Sequence, residues 1–325
     1  MGHHLGIDLG GTKVVLAVGD EACEPIASRR LATPQSGDWR ADLDVLAAEA
    51  RGLLKEADVD PASQLIRVGI SVPGPADPVE GILLNPPNLR GWQNVPIATY
   101  LSDALSAETV IENDANAAVL AEARFGAGQG VRDLIYLTMS TGVGSGVISG
   151  GRLVSGAFGA ASEAGHVPIV PDGKLCACGL KGCLEAYVGG NAWRDRLRHE
   201  APADGCVATL AGGDPSDLLP EHVVSAAQEG DPWAREALNE WVENLAKGIV
   251  PLVMMFEPKR IILGTIAAAA GEQLCFGPLR ERLAARLWLQ QSERLEILPA
   301  ALGESMPLRA GLAVALAAGG SADSP

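Results

Sequence analysis

The sequence predicts an α/β protein of two domains. Strand-length apolar runs alternate with stretches of helical period along most of the chain. Its 325 residues suffice for two domains. A pattern of apolar strand, Thr/Gly-rich turn and apolar strand opens the chain and returns at 133–154. That return suggests an internal duplication.

In order, residues 3–10 and 13–20 read as two strands around the Gly10-Gly11 turn. Helical periodicity covers 41–57, and "LIRVGISV" (65–72) reads as a buried strand stopped by "PGPADP". "NPPNLRGW" (85–92) is a Pro-rich loop, and 108–126 reads as strand, polar junction and helix ending at Gly126. The second start, 133–154, gives strand, turn, strand, turn, strand. Helices are expected over 184–199, 221–228, 232–256 and 271–288, strands at 259–265 and 294–300, and a last helix over 307–318. The loosest segment is 201–220, and the final "GGSADSP" reads as a frayed tail.

Apolar residues make up 47% and charged residues 20%, a balance that supports a folded core. The net charge of −15 sets the surface against nucleic acid and anionic membranes. No run is long enough and uncharged enough to span a bilayer, and the N-terminus lacks a signal-peptide pattern. A cytoplasmic protein is therefore expected. Cys23, Cys206 and Cys275 are scattered, whereas Cys176, Cys178 and Cys183 fall within eight residues. In a reducing compartment such a cluster points to metal rather than disulfides.

Four stretches carry candidate chemistry. In "DLGGTK" (8–13), successive amides of Gly10, Gly11 and Thr12 can face one phosphate, and Asp8 can hold Mg²⁺. The same residues also suit a plain hairpin with a solvated acid. "STGVGSG" (140–146) is a second Gly/Thr turn between strands, able to grip phosphate from another side. Neither turn makes a P-loop or a dinucleotide fingerprint. In "ENDANAA", Asp114 stands at a strand-to-helix junction, where it serves either as helix cap or as base for a substrate hydroxyl. Last, His166, Cys176, Cys178 and Cys183 form a Cys₃His set that suits closed, tetrahedral Zn²⁺. Glu163 and Glu185 flank that segment, and with Asn88 they suit a sugar, whose hydroxyls both donate and accept.

Taken together, "DLGGTK", "VPGP", "NPPNLRGW", "ENDANAA", "STGVGSG", "SEAGHV" and "CACGLKGCLE" resemble the ROK family over nearly the whole chain and in the same order. The Cys-rich segment is the most specific of these. The resemblance implies two actin-like, ribonuclease-H-like domains with a cleft between them, and transfer of the ATP γ-phosphate to a sugar hydroxyl. The smaller domain is expected over 1–114, with the C-terminal helix at about 306–319 packing back on it, and the larger one over 115–305.

Residue by residue, the resemblance places Asp8, Gly10, Gly11, Thr12 and Lys13 in the first phosphate segment. Thr141, Gly142, Val143 and Gly144 fall in the second, and Gly264 lies near the nucleotide. Asp114 matches the catalytic base. Asn88, Asn113, Asp114, Glu163, His166 and Glu185 match sugar contacts. His166, Cys176, Cys178 and Cys183 match ligands of a structural Zn²⁺, so His166 would use one ring nitrogen for metal and the other for sugar. Three stretches depart from the family's usual pattern: Ser140-Thr141-Gly142, Ala161-Ser162-Glu163 and Gly264-Thr265-Ile266, the last beside the expected adenine.

The implied activity is that of an ATP- and Mg²⁺-dependent sugar kinase, glucose foremost, forming a homo-oligomer, a dimer, without nucleic-acid or membrane partners. A kinase for an N-acetylhexosamine, fructose or a cyclitol is the nearest alternative. A sugar-responsive repressor is a second, disfavoured because Asp8 stands so close to the start of the chain; an inactive sugar-binding protein is a third. Because the nucleotide turns and the zinc loop are distant in sequence, metal loss is expected to reach sugar binding far more than nucleotide binding.

Overall fold

The structure is a computed structural model and describes residues 2–318. The chain divides into two compact units. The first comprises residues 2–130, 151–161 and 302–318, and the second residues 131–150 and 162–301.

In the first unit the elements are β1 (His3–Leu9), β2 (Lys13–Gly19), β3 (Pro25–Ala32), α1 (Trp39–Glu56), α2 (Pro61–Gln64), β4 (Leu65–Val72), β5 (Ala76–Asp77), β6 (Ile82–Leu83), α3 (Ile97–Leu105), β7 (Glu108–Asn113) and α4 (Asp114–Phe125). The main sheet runs β3-β2-β1-β4-β7. β1 is antiparallel to β2 and parallel to β4, which is parallel to β7. Both faces of β1 and β4 are buried, as their near-continuous apolar runs require.

One face receives α1, whose buried stripe of Leu43, Leu46, Ala47, Ala50, Leu53 and Leu54 has helical spacing. Asp38 starts that helix by accepting a hydrogen bond from the Arg40 amide. The longest first-unit elements absent from the sequence reading, β3 and α3, have weak signals. β3 is an edge strand with Ser28, Arg29 and Arg30 in its middle, and α3 is short and follows Pro96 without a side-chain cap.

In the second unit the strands β8 (Leu134–Met139) and β9 (Val143–Ser149) come first; β10 (Arg152–Leu153), next in the chain, falls in the 151–161 segment of the first unit. Then come α5 (Glu185–Val188), α6 (Gly190–Glu200), α7 (Cys206–Leu210), α8 (Pro220–Glu229), α9 (Pro232–Phe256), β11 (Arg260–Leu263), α10 (Ile266–Gly271), α11 (Gly277–Ala284), α12 (Leu289–Ser292) and β12 (Glu296–Pro299). The strand order runs β9-β8-β11-β12. β8 is antiparallel to β9 and parallel to β11, itself parallel to β12. The order and directions of β2-β1-β4-β7 are thus repeated, which agrees with an internal duplication.

Two helices read as continuous are broken. The 184–199 stretch divides because Gly189 is extended (ψ 139°) and Gly190 lies against the Ser140 carbonyl, where a Cβ would stand at 1.9 Å. The 271–288 stretch begins as a π-helical turn, Glu272–Phe276, after Gly271 at φ 72°, and its helix ends at Ala284.

The last helix, α13 (Met306–Ala317), lies on β1 and β4 of the first unit. Gly6, Gly69 and Gly311 make that approach possible, because a Cβ at any of them would come within 2.5 Å of backbone atoms. The first unit also extends past the boundary at 114 read from the sequence. α4 packs on α13 through Ala117 against Ala310 and Val314, and through Ala121 against Ala313. Buried Glu122 then accepts hydrogen bonds from the Ala127 and Leu302 amides at 2.7 and 3.0 Å, tying both segments down. The tail read as frayed, 319–325, lies outside the described residues. Among the described residues no helix is long and apolar enough to cross a membrane.

Candidate functional site

A first group of candidate residues stands at the carboxyl ends of three parallel strands of the first unit, where α/β sheets bind ligands. Register puts Asp8 of β1 beside Ser71 of β4, and Ser71 beside Glu112 of β7. Ser71, buried at 1% exposure, donates to the Asp8 carboxylate. Burial pushes the Asp8 carboxyl up to about 6, and the negative charge of Asp114 adds to this, while the Ser71 bond and Lys13 oppose it. A half-buried acid beside a second acid is a donor set that suits a hard cation such as Mg²⁺. Ser71 was missed by sequence reasoning because a lone Ser inside an apolar strand carries no spacing signal.

This carboxyl predicts a measurable pH dependence. Unfolded, Asp8 loses its proton near 3.8; folded, it does so near 6. The folded state holds the proton more tightly across that window, so stability falls as pH rises through it. A shift of this size corresponds to roughly 3 kcal/mol at most. Without Mg²⁺, Asp8→Asn is expected to unfold at a higher temperature than wild type at pH 7.5, and the gap should shrink at pH 4.5. Thermal melts at the two pH values check this; a gap independent of pH would contradict it.

The "DLGGTK" turn is a closed hairpin. The Gly10 amide bonds the Lys13 carbonyl at 3.0 Å, and Thr33 Oγ1 donates to the Gly10 carbonyl at 2.7 Å. Gly10 is therefore spent inside the turn, which corrects its reading as a phosphate donor; Gly11 and Thr12 supply the turn's other amides. Thr12 and Lys13 are exposed. Gly11 packs against Asn88, since a Cβ there would be 2.6 Å from Asn88 Cβ. Asn88 is held in place by its loop, which is pinned by buried Trp92. The Trp92 Nε1 donates to buried Asp42 at 3.1 Å.

At the end of β7, Asn113 caps α4 by accepting the Ala115 amide at 3.0 Å, and Asp114 accepts the same amide at 2.7 Å. Asp114 is exposed at the first turn of the helix. The junction beneath it is fixed by buried Glu112, whose Oε1 accepts from the Asn113 amide and from Asn116 Nδ2, both at 2.9 Å. Burial raises the Glu112 carboxyl above the usual carboxylate range.

A second group of candidate residues lies within the second unit. The Ser140 amide bonds the Gly142 carbonyl at 3.1 Å, closing the turn between β8 and β9. The Val143 amide donates to Glu185 Oε2 at 2.9 Å, so this amide is engaged by a carboxylate rather than left for phosphate. Thr141 contributes its carbonyl to the Asn191 amide at 2.9 Å. Gly144 pairs with Thr138 on β8.

Glu163 is exposed and opens a 3₁₀ turn, Ala164–His166. That turn rests on β9: a Cβ on Gly165 would be 2.4 Å from the Val143 carbonyl, and the Ala164 amide donates to Ser145 Oγ at 3.0 Å.

His166, Cys176, Cys178 and Cys183 bring one ligand atom each to within 4.8 Å of the others. The Cys178 and Cys183 sulfurs are 3.8 Å apart, and His166 Nδ1 is 3.7 Å from Cys176 Sγ. Tetrahedral Zn²⁺ with thiolate bonds of about 2.3 Å requires sulfurs about 3.8 Å apart, so the four residues fit that ion. The thiols are not paired in disulfides. Gly182 lets the loop close, since a Cβ there would be 1.9 Å from the Val170 carbonyl and its φ is 79°.

Gly264, read as a nucleotide neighbour, is buried. Its amide bonds the Leu137 carbonyl at 2.8 Å, and a Cβ there would be 2.7 Å from the Tyr136 hydroxyl. The exposed residue at this point is Thr265. Its φ of 50° is strained for a β-branched side chain, and hydrogen bonds of Oγ1 with the Met139 amide and carbonyl, at 2.9 and 2.5 Å, hold it there.

The ROK family model matches residues 4–318. A glucokinase of Thermotoga maritima is 36% identical over 281 residues, covering 86% of each chain. An N-acetylmannosamine kinase of Escherichia coli is 31% identical over 260 residues, covering 80% of this chain and 81% of the relative. Among solved structures, a ROK family glucokinase from Streptomyces griseus in complex with glucose and AMPPNP superposes with a TM-score of 0.77 at 32% identity, over 98% of this chain and all of that one. With the two Gly/Thr turns, the Asp8–Asp114 pair and the Cys₃His cluster in place, and a family match over nearly its full length, this chain belongs to the ROK family.

Proposed function

We propose that the protein is a sugar kinase that transfers the γ-phosphate of ATP to a hexose hydroxyl, glucose foremost. The observation that carries this reading is the placement of Asp8 and Asp114 at the carboxyl ends of β1 and β7, near enough for the charge of one to act on the other. Phosphoryl transfer needs positioning and charge stabilisation more than covalent chemistry. Asp8 would hold Mg²⁺, which neutralises phosphate charge when bound. Lys13, with the amides of Gly11 and Thr12, and the Thr141–Gly144 turn are the groups that would bear on the phosphates.

In the reaction Asp114 takes the proton of the attacking hydroxyl. The hydroxyl oxygen bonds to the γ-phosphorus as the bond to the β-phosphate oxygen breaks, and ADP leaves. The hydrogen bond from the Ala115 amide holds the Asp114 carboxylate in place for that step. Asn88, Asn113, Glu163, His166 and Glu185 would orient the sugar. His166, Cys176, Cys178 and Cys183 would hold a structural Zn²⁺ through His166 Nδ1, which leaves Nε2 for a sugar hydroxyl. Four protein ligands fill a tetrahedral site, so the ion supplies rigidity and not hydrolytic chemistry.

The similarity to an N-acetylmannosamine kinase makes the choice of sugar the sharpest question. With Mg²⁺ and ATP, a panel of glucose, mannose, fructose, N-acetylglucosamine, N-acetylmannosamine and inositol is expected to show the highest kcat/KM for glucose. Preference for an N-acetylhexosamine would move the substrate within the same class. Sugar binding without ADP formation on any member would overturn the kinase reading.

A further inference from the structure

We propose that Glu185 is a positioning residue for the β8–β9 turn, so that the Cys/His cluster and that turn behave as one mechanical piece. That the turn's ligand is a nucleotide phosphate rests on the function proposed above; that Glu185 fixes the turn does not. Glu185 follows Cys183 by two residues and is the first residue of α5. Its two carboxylate oxygens face different partners. Oε2 accepts the Val143 amide at 2.9 Å, and Oε1 lies 3.6 Å from Cys176 Sγ. One side chain therefore touches both the metal-ligand cluster and the turn.

Three glycines make the contact possible. A methyl group on Gly142 would come within 2.3 Å of Glu185 Oε2, so the carboxylate lies directly against that residue's Cα. A Cβ on Gly189 would be 2.9 Å from Glu185 Cγ and 3.4 Å from the Gly142 Cα. Gly190 lies on the Ser140 carbonyl, and the Asn191 amide then bonds the Thr141 carbonyl. The chain leaving the cluster thus holds the turn at Ser140, Thr141, Gly142 and Val143 in succession.

The base of this support is firm. The Leu184 amide bonds the Val167 carbonyl at 2.9 Å, and buried Leu184 sits against Gly248 of α9. The turn has little rigidity of its own, because its internal bond is the single one from Ser140 to Gly142 and glycine resists ordering. Sequence distance argued for independence between the zinc loop and the second phosphate turn; the fold joins them across 42 positions of chain. Metal loss should consequently reach nucleotide binding as well as sugar binding.

The test uses the full chain with its metal bound, in wild type, Glu185→Gln and Glu185→Ala. Two quantities are read: amide hydrogen exchange over 140–146, and affinity for Mg²⁺-AMPPNP by calorimetry without sugar. Alanine is expected to speed exchange at Val143 by about tenfold or more and to weaken nucleotide binding by about tenfold. Glutamine keeps an acceptor and should stay within about threefold of wild type on both. A sugar contact alone would leave both readouts unmoved, so an unchanged Glu185→Ala overturns the proposal. If the alanine variant does not fold, the glutamine variant decides. The Val143 amide proton should move upfield as its acceptor loses charge, and an unmoved resonance overturns the proposal. Wild-type protein that binds no nucleotide would overturn the functional reading, while exchange at Val143 would still judge Glu185.

Discussion

Asp114→Asn is expected to lower kcat by about 10²- to 10⁴-fold while the protein stays folded. Asparagine has the same shape and retains an Oδ1 for the Ala115 amide at the start of α4. It cannot take a proton from an attacking hydroxyl. The side chain is exposed, so the exchange removes no packing. Sugar KM should change far less than kcat, because the lost interaction belongs to the transition state. A second readout is built into the site. The Asp114 charge helps to raise the Asp8 carboxyl, so that carboxyl should titrate lower in the variant. Near-normal turnover in a folded Asp114→Asn protein would remove Asp114 from the mechanism.

Legibility in the sequence followed the range of the interactions. The strands around the Gly10-Gly11 turn, α1, β4, α4, α9 and α13 rest on periodicity and on local caps, and each stands within a few residues of its expected place. The breaks did not show, because what ends α5 at Gly189 is contact with a turn nearly fifty residues earlier in the chain. β3 was hidden since an edge strand is only partly buried, and Arg29 and Arg30 break its apolar pattern on both faces, Arg29 on the half-buried side with Ala27 and Leu31 and Arg30 on the exposed side. Within the site, residue types and spacing marked Asp8, Asp114 and the Cys₃His cluster. Which atoms were already committed could not be read that way. Gly10 spends its amide on Lys13, Val143 spends its amide on Glu185, and Gly264 is buried under Tyr136. Ser71, Glu112 and Thr265 have their roles only through register or through backbone contacts across the sheet.

Cys178→Ser is expected to lose the metal and, with it, a large part of sugar affinity. The wild-type chain should carry one Zn²⁺, and the variant close to none, because three ligands remain and the replaced one offers a weakly acidic hydroxyl in place of a thiolate. The energy of a structural metal site is folding energy, so the loop from 166 to 183 should loosen. A loss of about 3 kcal/mol would lower the melting midpoint by roughly 6–12 °C for a unit of this size. The ligands and the sugar candidates share backbone. His166 ends the 3₁₀ turn that Glu163 opens, and Glu185 stands two residues past Cys183. Loosening the loop therefore displaces three expected sugar contacts together, and an affinity fall of at least about tenfold corresponds to the loss of one such contact. Asp8, Lys13 and Asp114 lie in a different unit and should keep their geometry, so the pH-dependent stability tied to Asp8 should persist in the variant. Metal analysis, melting and a glucose titration decide the matter. Wild-type protein that is metal-free yet binds sugar unchanged would sink the structural-zinc reading, and so would a metal-bound water whose titration follows activity, since four protein ligands leave no position for it.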